Sequence, residues 1–303
     1  MKTNQRLYTF EDSDARIRSI LDASDQGYEE LDYIPSANRL TYTNGFYVNC
    51  CAALFIDIRD SSKLTNNHTR PVLAKIYRAY LSECVSILNQ DKNCKEVYIH
   101  GDCVVGIFEI HTGESMNEAV LRAFELNALI NLLNWRLENK GYVPIKCGIG
   151  IDYGRALMLQ GGASNTGINE VIWMGDVVNR ASKLCHQGNK DGQLPIQVST
   201  AVFNKLTSQN YKNLLYPVKI GGLLEIIKQY QADAVSTEMN KKLEAEKRMS
   251  LQRRKLSGLL QLGSRYQPPA TTVLSQGMLS TKPRLGLGAS TLGQLLVGDH
   301  LKR

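Results

Sequence analysis

The chain has 303 residues, 43% of them hydrophobic, enough to bury the core of one catalytic-sized domain and leave extensions at both ends. Its longest apolar runs are too short to cross a bilayer, and Met1-Lys2-Thr3-Asn4-Gln5-Arg6 is followed by polar residues rather than a signal-peptide core, so a cytoplasmic protein without a membrane partner is expected. The net charge of +7 does not make the catalytic-sized region a nucleic-acid binder, because residues 241–303 hold 12 Lys/Arg against 3 Asp/Glu while the remainder holds 24 against 26.

Residues 1–46 mix charges with tyrosines and contain one helix around Ala15–Ala23; they read as an N-terminal extension. From Tyr47 to Ile58 the sequence is almost continuously apolar, the mark of a strand buried on both faces, and it reaches Asp57 at its end. A helix starts near Thr69-Arg70-Pro71 and repeats apolar residues from Val72 to Leu88. The runs 96–100 and 103–110 flank Gly101-Asp102, which predicts a hairpin with Asp102 at its tip.

Ser115 and Glu118 have capping-box spacing and open a second helix, carried through Leu137 and closed by Gly141, with a strand over Val143–Ile151 behind it. Val171–Gly175 leads into a helix from Asp176 to His186, on which Asn179 and Lys183 are four apart and share a face. A strand at Pro195–Val198 and a helix at Thr200–Leu206 complete a domain spanning 47–206. This order is α+β with a mixed or antiparallel sheet. Residues 207–262 read as a basic helical extension and 263–303 as a low-complexity, disordered tail; Glu244 and Glu246 interrupt the basic run Lys241–Lys255, which suits a solvated face.

The seven cysteines form no Cys-x-x-Cys pair and fall mostly within predicted strands and helices, so reduced buried thiols are expected and neither zinc nor disulfides are implied. Asp57 and Asp102 are candidate ligands for Mg²⁺ or Mn²⁺, which prefer carboxylate oxygens and share their shell with substrate phosphates. Two ordinary turn or strand-end aspartates are an equal reading of these residues alone. In the segment Ile58-Arg59-Asp60-Ser61-Ser62, Arg59, Ser61 and Ser62 are candidate substrate contacts, because a strand-to-helix loop offers backbone N–H groups to phosphates. Asp60 reads as a cap or loop residue, and Arg59 has a second reading as a solvated charge. His100 reads as a packed or solvent-facing imidazole and Trp173 as core.

Four motifs in order resemble the class III adenylate and guanylate cyclases: Phe-Ile-Asp-Ile-Arg-Asp-Ser-Ser at 55–62, His-Gly-Asp-Cys-Val-Val-Gly-Ile-Phe at 100–108, Gly-Ile-Gly-Ile-Asp-Tyr-Gly-Arg at 148–155 and Gly-Asp-Val-Val-Asn-Arg-Ala-Ser-Lys at 175–183. The resemblance covers about 50–206. It implies a ferredoxin-like α+β core and a homodimer whose active sites lie across the interface. Asp57, Asp102 and the backbone carbonyl of Ile58 would bind two divalent cations, Mn²⁺ or Mg²⁺, from one chain. From the other, Asn179 would orient the ribose and Lys183 would stand where the family has a transition-state arginine. Lys183 departs from the pattern, because an ammonium neutralises charge without gripping it bidentately.

Phe55, Tyr98 and Ile172 would contact the substrate. Purine cyclases of the family resemble one another in a Lys at the position of Tyr98 and, in adenylate cyclases, an Asp at the position of Ile172. Loss of both polar readers implies a changed base. The pattern is similar to the pyrimidine cyclases of Pycsar anti-phage defence, which implies UTP, with CTP as the alternative, and a downstream effector activated by the cyclic nucleotide. An unusual adenylate cyclase, a non-catalytic nucleotide-binding homologue and a nucleic-acid-binding protein that uses the basic tail are the remaining readings.

Overall fold

The computed structural model of the protein describes residues 5, 7–164, 166, 168–220 and 226–264. The elements are α1 (Phe10–Leu21), β1 (Tyr28–Leu31), β2 (Gly45–Ile58), α2 (Ser61–Asn67), α3 (Arg70–Asn89), β3 (Cys94–His100), β4 (Cys103–Glu109) and α4 (Gly113–Glu138). There follow β5 (Cys147–Ala163), β6 (Ile168–Met174), α5 (Asp176–Gln187), β7 (Ile196–Val198), α6 (Thr200–Lys205), α7 (Gln209–Lys212), β8 (Tyr216–Ile220), β9 (Ile226–Ala232) and α8 (Thr237–Ser264). Two compact units are present, Met1–Leu251 and Gln252–Arg303, and the sheet belongs to the first.

The sheet runs β3-β4-β2-β5-β7-β9-β8, with β1 added parallel to β2 and β6 folded antiparallel onto the end of β5. β5 and β7 pair in parallel and the β2, β4 and β5 pairings are antiparallel, so the sheet is mixed, as the element order predicts. The central strand β2 is buried on both faces because its alternation feeds two cores. Leu54, Ile56 and Ile58 enter the core under α3 and α4, with Tyr80, Leu88, Phe108 and Phe124. Cys51 and Ala53 enter a second core on the opposite face, with Val105, Ile107, Trp173, Val177 and Ala181, and Phe55 packs against it. Full burial of one such Leu or Ile contributes about 1.5–3 kcal/mol.

Helix α5 lies directly on β5, which is why the strand carries Gly148 and Gly150. A Cβ at Gly150 would stand 2.1 Å from the Cys185 nitrogen and 2.3 Å from the Ala181 carbonyl oxygen. No side chain fits between these backbones. Both glycines therefore fix how closely the helix carrying Asn179 and Lys183 approaches the sheet.

Local details differ from the sequence expectations. Residues 61–67 form α2 rather than continuing a loop; only Leu64 on it is buried, so it carries no apolar periodicity. The N-terminal helix begins at Phe10, where Thr9 accepts from the Asp12 N–H, rather than near Ala15. The capping box of α4 is Thr112 with Ser115, three residues earlier than Ser115 with Glu118. β5 extends to Ala163 instead of stopping at Ile151, because pairing with β2 and β6 overrides the turn propensity of Gly154 and Gly161-Gly162. The sheet also continues past 206: β9 pairs with β7 and β8 with β9, although the Lys-Gln-Tyr-Gln run of β9 carries little apolar signal. The tail beyond 264 lies outside the described residues.

All seven cysteines are free and five are buried. No helix among the described residues is long and apolar enough to cross a membrane. On α8, Lys242 pairs with Glu238 at 2.6 Å and Lys247 with Glu244 at 2.8 Å, so acidic neighbours offset part of its basic surface.

The segment after β1 is tied to the sheet by Glu109, whose Oε2 accepts from the Ile34 N–H at 2.6 Å while Oε1 lies 3.2 Å from His111 and 3.6 Å from Lys95. Burial opposes the charge on Glu109, but these partners outweigh it and hold its carboxyl below the ordinary 4.5. A lowered folded-state value means the contact stabilises above about pH 4.5 and is lost as pH falls through the lowered value. Glu109→Gln should cost about 1–2 kcal/mol at neutral pH and make the Ile34 amide exchange faster with solvent, a difference that narrows under acid. Unchanged exchange at Ile34 would contradict this contact.

Candidate active site

The first carboxylate stands where β2 ends. Because Phe55 and Asp57 follow the alternation of Ala53, they leave the strand on the face opposite Leu54, Ile56 and Ile58. The side chain of Ile58 is buried in the helix-covered core, leaving only its backbone for a ligand role. The second carboxylate comes from the β3-β4 hairpin. Gly101 takes φ +65° at the turn, which spares Asp102 a left-handed backbone, and Asp102 begins the return. Ile56 pairs with Val104, so sheet register brings Asp102 to the end of β2 where Asp57 stands.

The two carboxylates feel one another. Burial first, and Asp102 second, raise the Asp57 carboxyl above its ordinary value, while Arg59, His186 and Lys190 pull it down. One oxygen of Asp102, Oδ2, is buried and accepts no hydrogen bond from any described residue. Tyr77 on α3 and Cys103 on β4 sense both aspartates as well; burial chiefly, with their negative charge, pushes the Cys103 thiol up to about 12. Two carboxylates that feel one another's charge, one with an unpartnered buried oxygen, offer oxygen donors of the kind a hard divalent cation takes.

Arg59 is not the solvated charge of the sequence reading. Its side chain is only 7% exposed; Nη2 donates to Asp57 Oδ2 at 2.6 Å and Nη1 donates to the His186 carbonyl at 3.1 Å. The guanidinium therefore links the first aspartate to the end of α5. This works because α5 lies hard against β5 and leaves its last carbonyls beside the loop. Asp60 precedes α2 in a left-handed conformation, φ 53°, and pairs with Lys63 at 3.1 Å. Ser61 is half-buried and Ser62 exposed on the first turn of α2. The proposed phosphate loop is thus a two-residue turn into a helix.

Beside Asp57, on the same sheet face, opens a cavity of about 230 Å³. Phe55, Tyr98, His100, Glu170, Ile172 and Trp173 are among the residues that line it, so three residues expected to contact substrate, Phe55, Tyr98 and Ile172, meet at one cavity. His100 is exposed and its ring stacks on Tyr98, with centroids 6.3 Å apart and planes within 6°. Trp173 is buried, as expected, but its indole edge reaches into the site: Nε1 donates to Glu96 Oε2 at 2.7 Å. Glu96 was missed from sequence. Its only signal is the alternation Glu96, Tyr98, His100 along one face of β3.

Asn179 and Lys183 are brought together but not to the aspartates. Both are exposed on the outer side of α5, whose inner side buries Val177, Ala181, Leu184 and Cys185. Lys183 lines a separate cavity of about 310 Å³ with Arg180, Gln187 and Lys228. Neither residue hydrogen-bonds Asp57 or Asp102 among the described residues. A further cluster, Cys50, Glu109 and His111, has ligand atoms within 4.8 Å of one another. It sits at the other end of the β2-β4 pairing, where Cys51 pairs with Glu109, and is not part of this site.

The family model for the adenylate and guanylate cyclase catalytic domain matches residues 46–230. The chain is 46% identical over 198 residues to a protein named uridylate cyclase from Gulbenkiania mobilis, a stretch covering 63% of this chain and 76% of that one. It is 32% identical over 233 residues to another of that name from Treponema porcinum, covering 77% and 80%. Among solved structures, that of the guanylyl cyclase Cya2 aligns with a TM-score of 0.50 at 14% identity, over 62% of this chain and 93% of that one, a likeness of fold. The β2 carboxylate, the Gly-Asp hairpin and the exposed Asn-Lys face of α5 all fall inside the matched region, and the chain belongs to the adenylate and guanylate cyclase catalytic domain family as a nucleotide cyclase.

Proposed function

We propose that this cyclase acts on a pyrimidine nucleoside triphosphate, UTP, and forms 3′,5′-cyclic UMP and pyrophosphate. The observation that carries the reading is the cavity beside Asp57: Tyr98 and Ile172, the positions at which purine cyclases have their base readers, line it together with Phe55. At these two positions the cavity presents a phenol and an alkyl side chain in place of an ammonium and a carboxylate, so the polar groups that read a purine edge are gone from them, although Glu170 and His100 also line the cavity. The printed names of the relatives from Gulbenkiania mobilis and Treponema porcinum support uridine as the base.

Asp57 and Asp102 would hold two divalent cations, Mn²⁺ or Mg²⁺, with the Ile58 carbonyl as a further donor. Such ions supply Lewis-acid polarisation and a lowered pKa for the attacking hydroxyl. The chain's own residues do the rest. Arg59 holds Asp57 in place. Asn179 of a partner copy orients the ribose so that its 3′ oxygen attacks the α-phosphorus in line, a bond forming there as the bond to the bridging oxygen breaks and pyrophosphate leaves. Lys183 of that copy offsets the charge that accumulates on the equatorial oxygens. Ser61, Ser62 and the N–H groups of the first turn of α2 would offer donors to the phosphates. The resemblance to Pycsar cyclases supports a signalling role for the product, which would activate an effector in antiviral defence.

Purified chain given UTP and Mn²⁺ should release pyrophosphate and a product with the mass of UMP less one water; binding without pyrophosphate release would instead support the non-catalytic reading. The composite site is tested by mixing. Asp57→Ala and Lys183→Ala should each be inactive as homodimers, yet an equilibrated mixture should regain about a quarter of wild-type activity, because half the dimers are mixed and each has one intact site. No recovery after confirmed subunit exchange would contradict a site built from two copies.

A further inference from the structure

Glu96, Tyr98 and Trp173 converge on one oxygen. The Tyr98 hydroxyl donates to Glu96 Oε2, and Trp173 Nε1 donates to that same atom at 2.7 Å and lies 3.2 Å from the Tyr98 oxygen. Glu96 and Tyr98 come from β3 and Trp173 from β6, which are not neighbours: β3 is at the edge of the sheet, and β6 pairs with β5, with β4 and β2 in between. The carboxylate is half-buried and accepts from both donors, so it bridges the two walls of the cavity that Tyr98 and Trp173 line.

Nothing in the reaction chemistry requires this carboxylate. It lies on the base side of the site, and its partners are a phenol and an indole rather than a cation. Yet removing an acceptor shared by one buried and one half-buried donor is costly, because each would lose its partner in a place water reaches poorly. What the arrangement accomplishes is to fix a ring. Tyr98 has His100 stacked on one side and its hydroxyl tied at the far end, so rotation of the side chain away from the cavity would break the Glu96 bond and the ring stack together. A tyrosine free to swing would leave room for a larger base; a tied one keeps the cavity small.

Resting on the pyrimidine reading above, we infer that Glu96 is a specificity-determining positioning residue, which acts through Tyr98 and Trp173 to hold the phenol ring across the base cavity and exclude purines. Glu96→Ala should release the ring. The ratio of pyrimidine to purine turnover, measured as kcat/KM for UTP against ATP and GTP, should fall about 10- to 100-fold, with most of the change in the purine KM. Glu96→Gln, whose amide carbonyl still accepts from both donors, should retain most of the selectivity.

Tyr98→Phe keeps the ring and removes the tie, so it should relax selectivity in the same direction. The double variant Glu96→Ala/Tyr98→Phe should be no worse than the more severe single one, as expected for two ends of one contact. These variants give a result even where Glu96→Ala folds poorly. A selectivity ratio unmoved by Glu96→Ala and by Tyr98→Phe, or effects that simply add, would overturn the inference. The wild-type chain in the same assay separates the two claims: if it makes no cyclic pyrimidine nucleotide, the underlying reading fails, whereas a pyrimidine-selective wild type with unmoved variants overturns the role of Glu96 alone.

Discussion

Asp102→Asn should leave a folded chain with turnover reduced on the order of a thousandfold. The two halves of that result have different causes. For stability, Asp102 is a liability: its charge opposes that of Asp57, and its buried Oδ2 accepts nothing from the described residues. Removing the charge relieves the repulsion, so the melting temperature should hold or rise. For catalysis by the proposed function the same charge would be needed. A carboxylate that completes a divalent-cation site supports several kcal/mol of transition-state stabilisation, and each ~1.4 kcal/mol is tenfold in rate.

Asp57→Asn should match the loss of activity but not the gain in stability. Its amide oxygen still accepts from Arg59, yet the guanidinium, only 7% exposed, loses the charge that offsets its own. A small drop in melting temperature is expected for Asp57→Asn and none for Asp102→Asn. Full turnover in either variant, measured as pyrophosphate release with Mn²⁺, would remove that residue from the site.

Gly150→Ala should have the largest effect of any change outside the chemistry. Its new Cβ would stand 2.1 Å from the Cys185 nitrogen and 2.3 Å from the Ala181 carbonyl, well inside van der Waals contact, and both obstacles are helix backbone that no rotamer change can clear. Either α5 lifts from β5 or the strand bends. Overpacking of this kind costs about 3 kcal/mol, which in a domain of this size lowers the melting temperature by about 10 °C. Activity should fall further than stability does, because α5 carries Asn179 and Lys183 and its last carbonyls hold Arg59, and through it Asp57. Thermal melts together with steady-state rates well below the melting point separate the two effects. A variant with wild-type stability and rate would contradict the close packing of α5 on β5.

Much of this site was legible because its parts are carried by local signals. An apolar run that stops at Asp57, a Gly-Asp pair between two β-rich runs and an Asn-x-x-x-Lys face on a helix need no knowledge of tertiary structure. The ends of elements were less legible. β5 runs through Gly154 and Gly161-Gly162 because its pairing with β2 and β6 supplies hydrogen bonds that turn propensity does not foresee. α2 carries one buried residue and so no periodicity.

The rest was hidden because it depends on contacts between distant strands. Arg59 looks solvated in a loop of polar residues; only the close approach of α5 gives it a carbonyl to hold and buries it. Glu96 is 77 residues from Trp173, and its alternation with Tyr98 says only that the two share a face, not that an indole arrives from β6 to complete the contact.

The central claim is that the base cavity selects a pyrimidine. The direct measurement is a competition: purified chain with UTP, CTP, ATP and GTP at equal concentration and Mn²⁺, followed by mass analysis of the cyclic products. The account predicts cyclic UMP as the dominant product, with any remainder chiefly cyclic CMP. Cyclic AMP or cyclic GMP as the dominant product would contradict it.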